Sequence, residues 1–232
     1  GKRDRTYSMD SLPQEYSSFG TGDYRITSLR VQNRDGSQAV ELRYNGYCVQ
    51  EGKYAIPGLP AVYAENGEAQ TLIIRLKDSY SGLEVELYYG ILEEMDIITR
   101  AVKITNQGTD NVVLKKAASM NLDWEYGDFE WLSFYGRHSM EMNFQKENIH
   151  HGIQAIGSVR GTSSHQYNPF TILCEKGSNE TMGKCYGFSF VYSGEFLIEV
   201  EKDQIDRTRL ICGIHPDNFS WVLHSGDMLW LP

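Results

Sequence analysis

Between Leu83 and Ile91 the chain alternates without a break: Leu83, Val85, Leu87, Tyr89 and Ile91 fall on one face of an extended backbone, and Glu84, Glu86 and Tyr88 on the other. A two-residue period cannot be followed by a helix, so Leu83–Leu92 is a strand. A strand needs neighbours for its N–H and C=O groups and a second layer for its apolar face. The flanking sequence supplies both. Thr71–Lys77 precedes it across Asp78-Ser79-Tyr80-Ser81-Gly82, and Ile97–Asn106 and Asn111–Met120 follow, split by a turn at Gln107-Gly108-Thr109. Upstream, Asn33-Arg34-Asp35-Gly36 between Ile26–Val31 and Ala39–Tyr44 is a hairpin signal. A short strand is expected at Tyr47–Val49, and the stretch from Gly52 to Pro60 is turn-rich. Downstream the strand pattern returns in Thr171–Cys174, Cys185–Tyr192, Phe196–Glu201, Thr208–Ile214 and Phe219–Leu223. About fourteen short strands without an amphipathic helix predict an all-β chain of two packed antiparallel sheets, one domain over residues 1–232.

Composition excludes several function classes. Aromatic residues make up 12% of the 232 residues, which suits pleated surfaces. A net charge of −9 disfavours capture of nucleic acid or anionic lipid, whereas a neutral ligand such as a sugar stays compatible. No apolar run approaches the length that spans a bilayer, so no membrane partner is expected. Cys48, Cys174, Cys185 and Cys212 are scattered and form no C-x-x-C pair. They predict free thiols in a reducing, cytoplasmic compartment and no zinc site. His150 and His151 are adjacent and would point to opposite faces of a strand, so no metal site is expected there. No cofactor-binding pattern is present: Gly20-Thr21-Gly22 lacks the lysine and helix of a phosphate loop.

The least strand-like segment runs from Ser158 to Phe170 and gathers Arg160, Ser163, Ser164, His165, Gln166 and Asn168 before Pro169. Such a loop persists in a compact domain only when its donors and acceptors are paired. It is either a ligand or interface loop or a buried polar plug closing a sheet. His165 is the strongest single candidate for acid/base chemistry or for a fixed hydrogen bond. Asp123 to Trp131 interleaves carboxylates with Trp124, Tyr126, Phe129 and Trp131, which suits stacking on sugar rings or, alternatively, a strand with one solvated acidic face. Glu125 and Glu130 are conceivable as a glycosidic acid/base pair only at a defined carboxylate separation. No catalytic residue is assigned.

Several motifs in order resemble the amino-terminal β-sandwich region of glycoside hydrolase family 36 α-galactosidases. They are Asp4-Arg5-Thr6-Tyr7-Ser8, Leu12-Pro13-Gln14-Glu15-Tyr16, Gly22-Asp23-Tyr24-Arg25, Gly58-Leu59-Pro60, Arg160 to Gln166 with Asn168-Pro169-Phe170, Tyr186-Gly187-Phe188, Val191-Tyr192-Ser193-Gly194, and Gly213-Ile214-His215-Pro216. The resemblance implies an antiparallel β-supersandwich of the galactose-mutarotase-like type that precedes a (β/α)₈ catalytic barrel. The barrel would carry retaining exo-hydrolysis of α-galactosides such as raffinose-type oligosaccharides with two aspartates. Neither its Lys-Trp-Asp motif nor any strand–helix alternation occurs here. The chain is therefore expected to be inactive by itself, to lack the first strands of the domain, and to stop before the strand leading to the barrel. By the same resemblance its partners are that barrel, further copies in a homo-oligomer (a tetramer), and a galactoside. Arg5, with Asp4 beside it, is the expected substrate contact at a neighbouring subunit's active-site mouth. The chain departs from the family pattern at Met142, where an arginine is expected. Two rivals remain: an aldose mutarotase, with His165 as acid and a glutamate as base, and a free-standing galactoside-binding module.

Overall fold

The structure, a computed structural model, describes residues 9–232; Asp4 and Arg5 lie outside the described residues. Fifteen strands and two short 3-10 turns make up the regular structure of that region. The strands are β1 (Leu29–Gln32), β2 (Arg43–Glu51), β3 (Gln70–Lys77), β4 (Leu83–Leu92), β5 (Ile97–Asn106), β6 (Val112–Trp124), β7 (Phe129–Arg137) and β8 (Met140–Asn148). They continue with β9 (Gly152–Ser158), β10 (Tyr167–Glu175), β11 (Cys185–Ser189), β12 (Phe196–Lys202), β13 (Thr208–Ile214), β14 (Trp221–Leu223) and β15 (Met228–Leu231).

The all-β antiparallel expectation holds, but the strands form three sheets rather than two. A central sheet runs β1-β6-β13-β12 with β14 also on β6; a second runs β15-β5-β4-β3-β2, and a third β11-β10-β7-β8. One strand explains the arrangement. β6 is 13 residues long, and its pairing shifts register twice, between Arg30 and Val31 of β1 and between Cys212 and Gly213 of β13. Each shift inserts one residue and re-phases the alternation, so the inward face reads Val112, Leu114, Ala117 and then Met120, Leu122, Trp124. The first three join the core against the second sheet, with Leu83, Val85, Leu87, Val102 and Ile104. The last three join the core against the third, with Phe129, Trp131, Leu173, Phe188 and Phe196. One curved sheet is thus shared by two cores. Each fully buried leucine or phenylalanine in them contributes about 1.5–3 kcal/mol by leaving water.

The differences from the sequence reading have local causes. β4 keeps its expected bounds, yet Tyr88 is buried and Ile91 is exposed. The opposite face of β4 is covered as well: Tyr88 packs with Ile56, Leu59, Ile73 and Ala101, and Tyr54 and, from β15, Trp230 flank its ring at 5.4 and 5.0 Å. The turn at Asn33–Gly36 forms, with the Gly36 N–H donating to Asn33 O, but it does not join a hairpin. β1 pairs with β6 and β2 with β3; the turn hands the chain between sheets, with buried Val40 as the pivot. β7 continues the Asp123–Trp131 stretch as a strand, and β8, β9 and β15 are strands that the sequence reading did not anticipate. β8 was hidden because it is an edge strand exposed on both faces, so it carries no alternation. β10 begins at Tyr167, so Asn168 and Pro169 belong to a strand. Pro169 sits within a register irregularity, where its missing N–H costs no ladder bond.

Candidate functional site

The polar segment singled out by the sequence is an exposed loop braced by its own groups. Ser158 Oγ donates to Thr162 O (2.8 Å), Arg160 Nε to Gln166 Oε1 (3.0 Å) and the Gln166 N–H to Ser164 Oγ (2.9 Å). Glu195 at the start of β12 accepts the Gly161 N–H at 2.9 Å, and Ser193 O accepts the Ser163 N–H. The buried-plug alternative is thereby removed. His165 is exposed and makes no hydrogen bond or ion pair among the described residues, so no acid/base pair forms around it.

Beside this loop stands the tip of the β7–β8 hairpin. The Gly136 N–H donates to Gln166 O, and Asn168 Nδ2 approaches Met142 Sδ at 3.0 Å. A Cβ on Gly136 would come within 2.6 Å of Met140 O, so this position needs glycine for the strands to close. Met142 holds φ of 57°, and Ser139 62°. A long side chain in the left-handed region carries strain of about 1–3 kcal/mol. Met140, Met142, Phe144 and Tyr135 stand exposed around the tip, while Phe170 stacks on Phe134 at 5.7 Å beneath it. Exposed methionine and aromatic side chains over a stacked base, rimmed by Arg160, Gln166 and Asn168, compose a surface of the kind proteins use for contact.

The acidic aromatic stretch does not form a sugar platform. Trp131 is 2% exposed, and Trp124 packs on Phe129, Tyr186 and Phe188 inside the second core. Glu130 is bound to Lys146 Nζ at 2.8 Å and accepts the Gly177 N–H, and these bonds hold its carboxyl below the ordinary range. A carboxylate so held is a poor general acid. His151 Nε2 meets Asp206 Oδ1 at 3.1 Å at the surface.

Sequence reasoning passed over the region that is polar and buried. Residues 10–28 run along the central sheet: Ser18 bridges Leu29 of β1, Tyr16 joins the first core, and Asp23 and Arg25 are fastened by ion pairs to β6 and β13. The Arg209 side chain, fully buried, donates from Nε to Asp123 Oδ1 at 2.6 Å and from Nη2 to Asp23 Oδ2 at 2.9 Å. Arg25 bonds Asp23 at 2.9 Å and lies 3.6 Å from Asp123. Asp23 is buried, which opposes its charge, but hydrogen bonds from Arg25 and the charge of Arg209 hold its carboxyl below the ordinary range. Around this square, Tyr16 donates to Ala118 O, Ser17 to Asn121 Oδ1, and the Gln14 N–H to Asp123 Oδ2. One signal was available: Asp23 and Arg25 are two apart, hence on one face of an extended chain. Cys174 and Cys185 also meet, as register partners on β10 and β11 with Sγ atoms 2.7 Å apart, and both are free thiols.

Known proteins match this architecture over its whole length. The α-galactosidase/sucrose kinase AgaSK of Mediterraneibacter gnavus is 52% identical over 229 residues, which cover 99% of this chain and 24% of that protein. Alpha-galactosidase AgaA of Geobacillus stearothermophilus is 41% identical over 99% of this chain and 32% of its own length. The crystal structure of a doubly substituted AgaA in complex with stachyose superposes with a TM-score of 0.98 over 100% of this chain and 32% of that one, and the galactosidase domain of AgaSK with 0.97. The chain therefore spans about a quarter to a third of the curated relatives it matches. The description "Glycosyl hydrolase family 36 N-terminal domain" matches residues 1–224, and the chain belongs to that family of domains.

Proposed function

We propose that this chain is the non-catalytic N-terminal domain of an α-galactosidase and that hydrolysis is carried out by polypeptide outside these 232 residues. One observation carries the proposal: the match is nearly complete on this side and covers only 24–32% of the α-galactosidases on the other. The substrate class is terminal α-galactosides of the raffinose type; substituted variants of AgaA have been crystallised with raffinose and with stachyose. The domain packs on a catalytic barrel and helps assemble a homo-oligomer. The Arg160–Asn168 loop and the β7–β8 tip supply contact surface, and Arg5 with Asp4 lines a neighbouring subunit's active-site mouth. A guanidinium offers a fixed fork of donors to vicinal sugar hydroxyls, which is the chemistry such a contact needs. Four free thiols agree with a reducing, cytoplasmic setting. None of the described helices is long and apolar enough to cross a membrane.

Steady-state kinetics on raffinose with the complete polypeptide test this reading. The wild type hydrolyses the terminal galactoside, and Arg5→Ala raises KM about tenfold or more, the loss of one or two hydrogen bonds to a substrate. An inactive complete polypeptide overturns the proposal. An active one with unchanged KM removes Arg5 from it.

A further inference from the structure

Where the two cores part, a cleft of about 420 Å³ opens between the second and third sheets. Its floor is the second bulge of β6, with Ser119, Met120 and Cys212; Arg100 lies on one wall and Phe170 and Phe188 on the other. Arg100 is an unusual wall residue. Its side chain is 9% exposed, its guanidinium lies 4.0 Å over the Tyr89 ring, and Nη1 stands 3.8 Å from a Glu15 carboxylate that is itself half in water. Nε and Nη2, the edge that forms a two-pronged fork, have no hydrogen-bond partner among the described residues, and neither has Ser119 Oγ. Buried donors of a cation are left unpaired only at a cost of several kcal/mol. Burial also pushes the Arg100 pKa down to about 10 and lowers that of Lys53 at the same cleft. The rim is apolar and open to solvent: Val62, Ile97, Ile98 and Val191 are all exposed.

We propose that this cleft is the docking groove for a stretch of the same polypeptide outside these 232 residues, one that presents an aspartate or glutamate between apolar side chains. Its carboxylate accepts two N–H bonds from the Arg100 fork, Ser119 donates a third, and the flanking side chains cover the exposed rim. The inference rests on the N-terminal-domain reading and adds a specific joint to it. Three observations select this occupant. The charge is complementary, because the cleft presents Arg100 and Lys53 and, among the described residues, no aspartate or glutamate lines it. The relatives are three to four times as long as this chain, so most of their polypeptide is available to fill it. Pro232 lines the cleft, so residues following it in a longer chain would start at its wall.

Two measurements test the joint. Ser189 lines the cleft and is exposed, whereas Ser37 is exposed far from it. With Ser189→Cys in the complete polypeptide, maleimide labelling should run at least an order of magnitude slower than with Ser37→Cys, once the native thiols are subtracted. Equal rates mean an open cleft and overturn the proposal, including the case of a small-molecule carboxylate that comes and goes. The second measurement is a reversal of sign. Arg100→Met should lower the melting temperature of the complete polypeptide by several degrees, and Arg100→Lys should do likewise because an ammonium lacks the fork. In the 232-residue chain Arg100→Met should leave the melting temperature unchanged or higher, because an unpaired cation is replaced by an apolar chain. Equal losses in both proteins show Arg100 to be satisfied within the domain and overturn the proposal. Hydrolysis of α-galactoside by the complete polypeptide is read in the same samples, so an active enzyme with an open cleft sinks the joint alone.

Discussion

Residues 10–28 and the loop at 159–166 are similar in composition, rich in serine and glycine with arginines, and neither has a strand or helix period. Their environments are opposite. The first is sealed against the central sheet by a square of two arginines and two aspartates, with Arg209 wholly out of water. The second lies in water, held by hydrogen bonds to uncharged acceptors and one bond to Glu195. A polar segment is therefore not intrinsically surface or core. What decides is whether the sheet beneath offers opposite charges. β6 and β13 do so because Asp123 and Arg209 are register partners on their outer face. The 159–166 loop meets Ser193 O, the Gly136 N–H and the Glu195 carboxylate, which accepts a backbone N–H and, among the described residues, no ion pair from the loop.

If that contrast is right, the largest loss comes from the square. Arg209→Met leaves Asp23 and Asp123 facing each other with only Arg25 between them and should cost about 3–5 kcal/mol. Urea unfolding at neutral pH checks it; a loss below about 1 kcal/mol would put the square on a par with surface ion pairs.

The next effect is on pH dependence. The folded Asp23 carboxyl titrates below its unfolded value of about 3.9, so its contribution is fully present above that pH and is lost as pH falls through the folded value. Asp23→Asn should therefore flatten the acid limb of stability below about pH 4. Glu201 runs the other way. Burial raises its carboxyl even though it accepts the Ile26 N–H, so ionising it in the fold costs stability as pH rises past about 4.3. Glu201→Gln should keep the Ile26 bond and remove that slope. Urea midpoints across pH 3–6 read both variants, and matching slopes in the two would break the argument.

The smallest effect belongs to the exposed loop. Gln166→Ala removes the bond from Arg160 Nε and should cost no more than about 0.5–1 kcal/mol. A loss of several kcal/mol would make the loop a structural plug after all.

Much of this fold was legible because alternation survives wherever one face of a strand is covered. β4 and β5 have their expected bounds, and β3, β12 and β13 lie within a residue of theirs. What stayed hidden has physical reasons. β8 has water on both faces, and the turn at Asn33–Gly36 gives local geometry without naming the sheet each arm will join. The burial of Tyr88 on the other face of β4 depends on Tyr54, Ile56 and Leu59 and on Trp230 of β15, all distant in sequence. The loop residues from Arg160 to Asn168 were found by composition, and the structure brings them to the β7–β8 tip. The Asp23–Arg209 contact spans 186 positions and carries no local signal. Motif resemblance identified the family, which periodicity alone could not do.

On the function proposed for it, this domain supports a galactosidase and does not perform the chemistry. Hydrolysis of a chromogenic α-galactoside by the 232-residue chain, beside the complete polypeptide at equal molarity, tests it most directly. The account predicts turnover by the complete polypeptide and none by the domain. Turnover by the domain alone would contradict it and would require an active site within these three sheets.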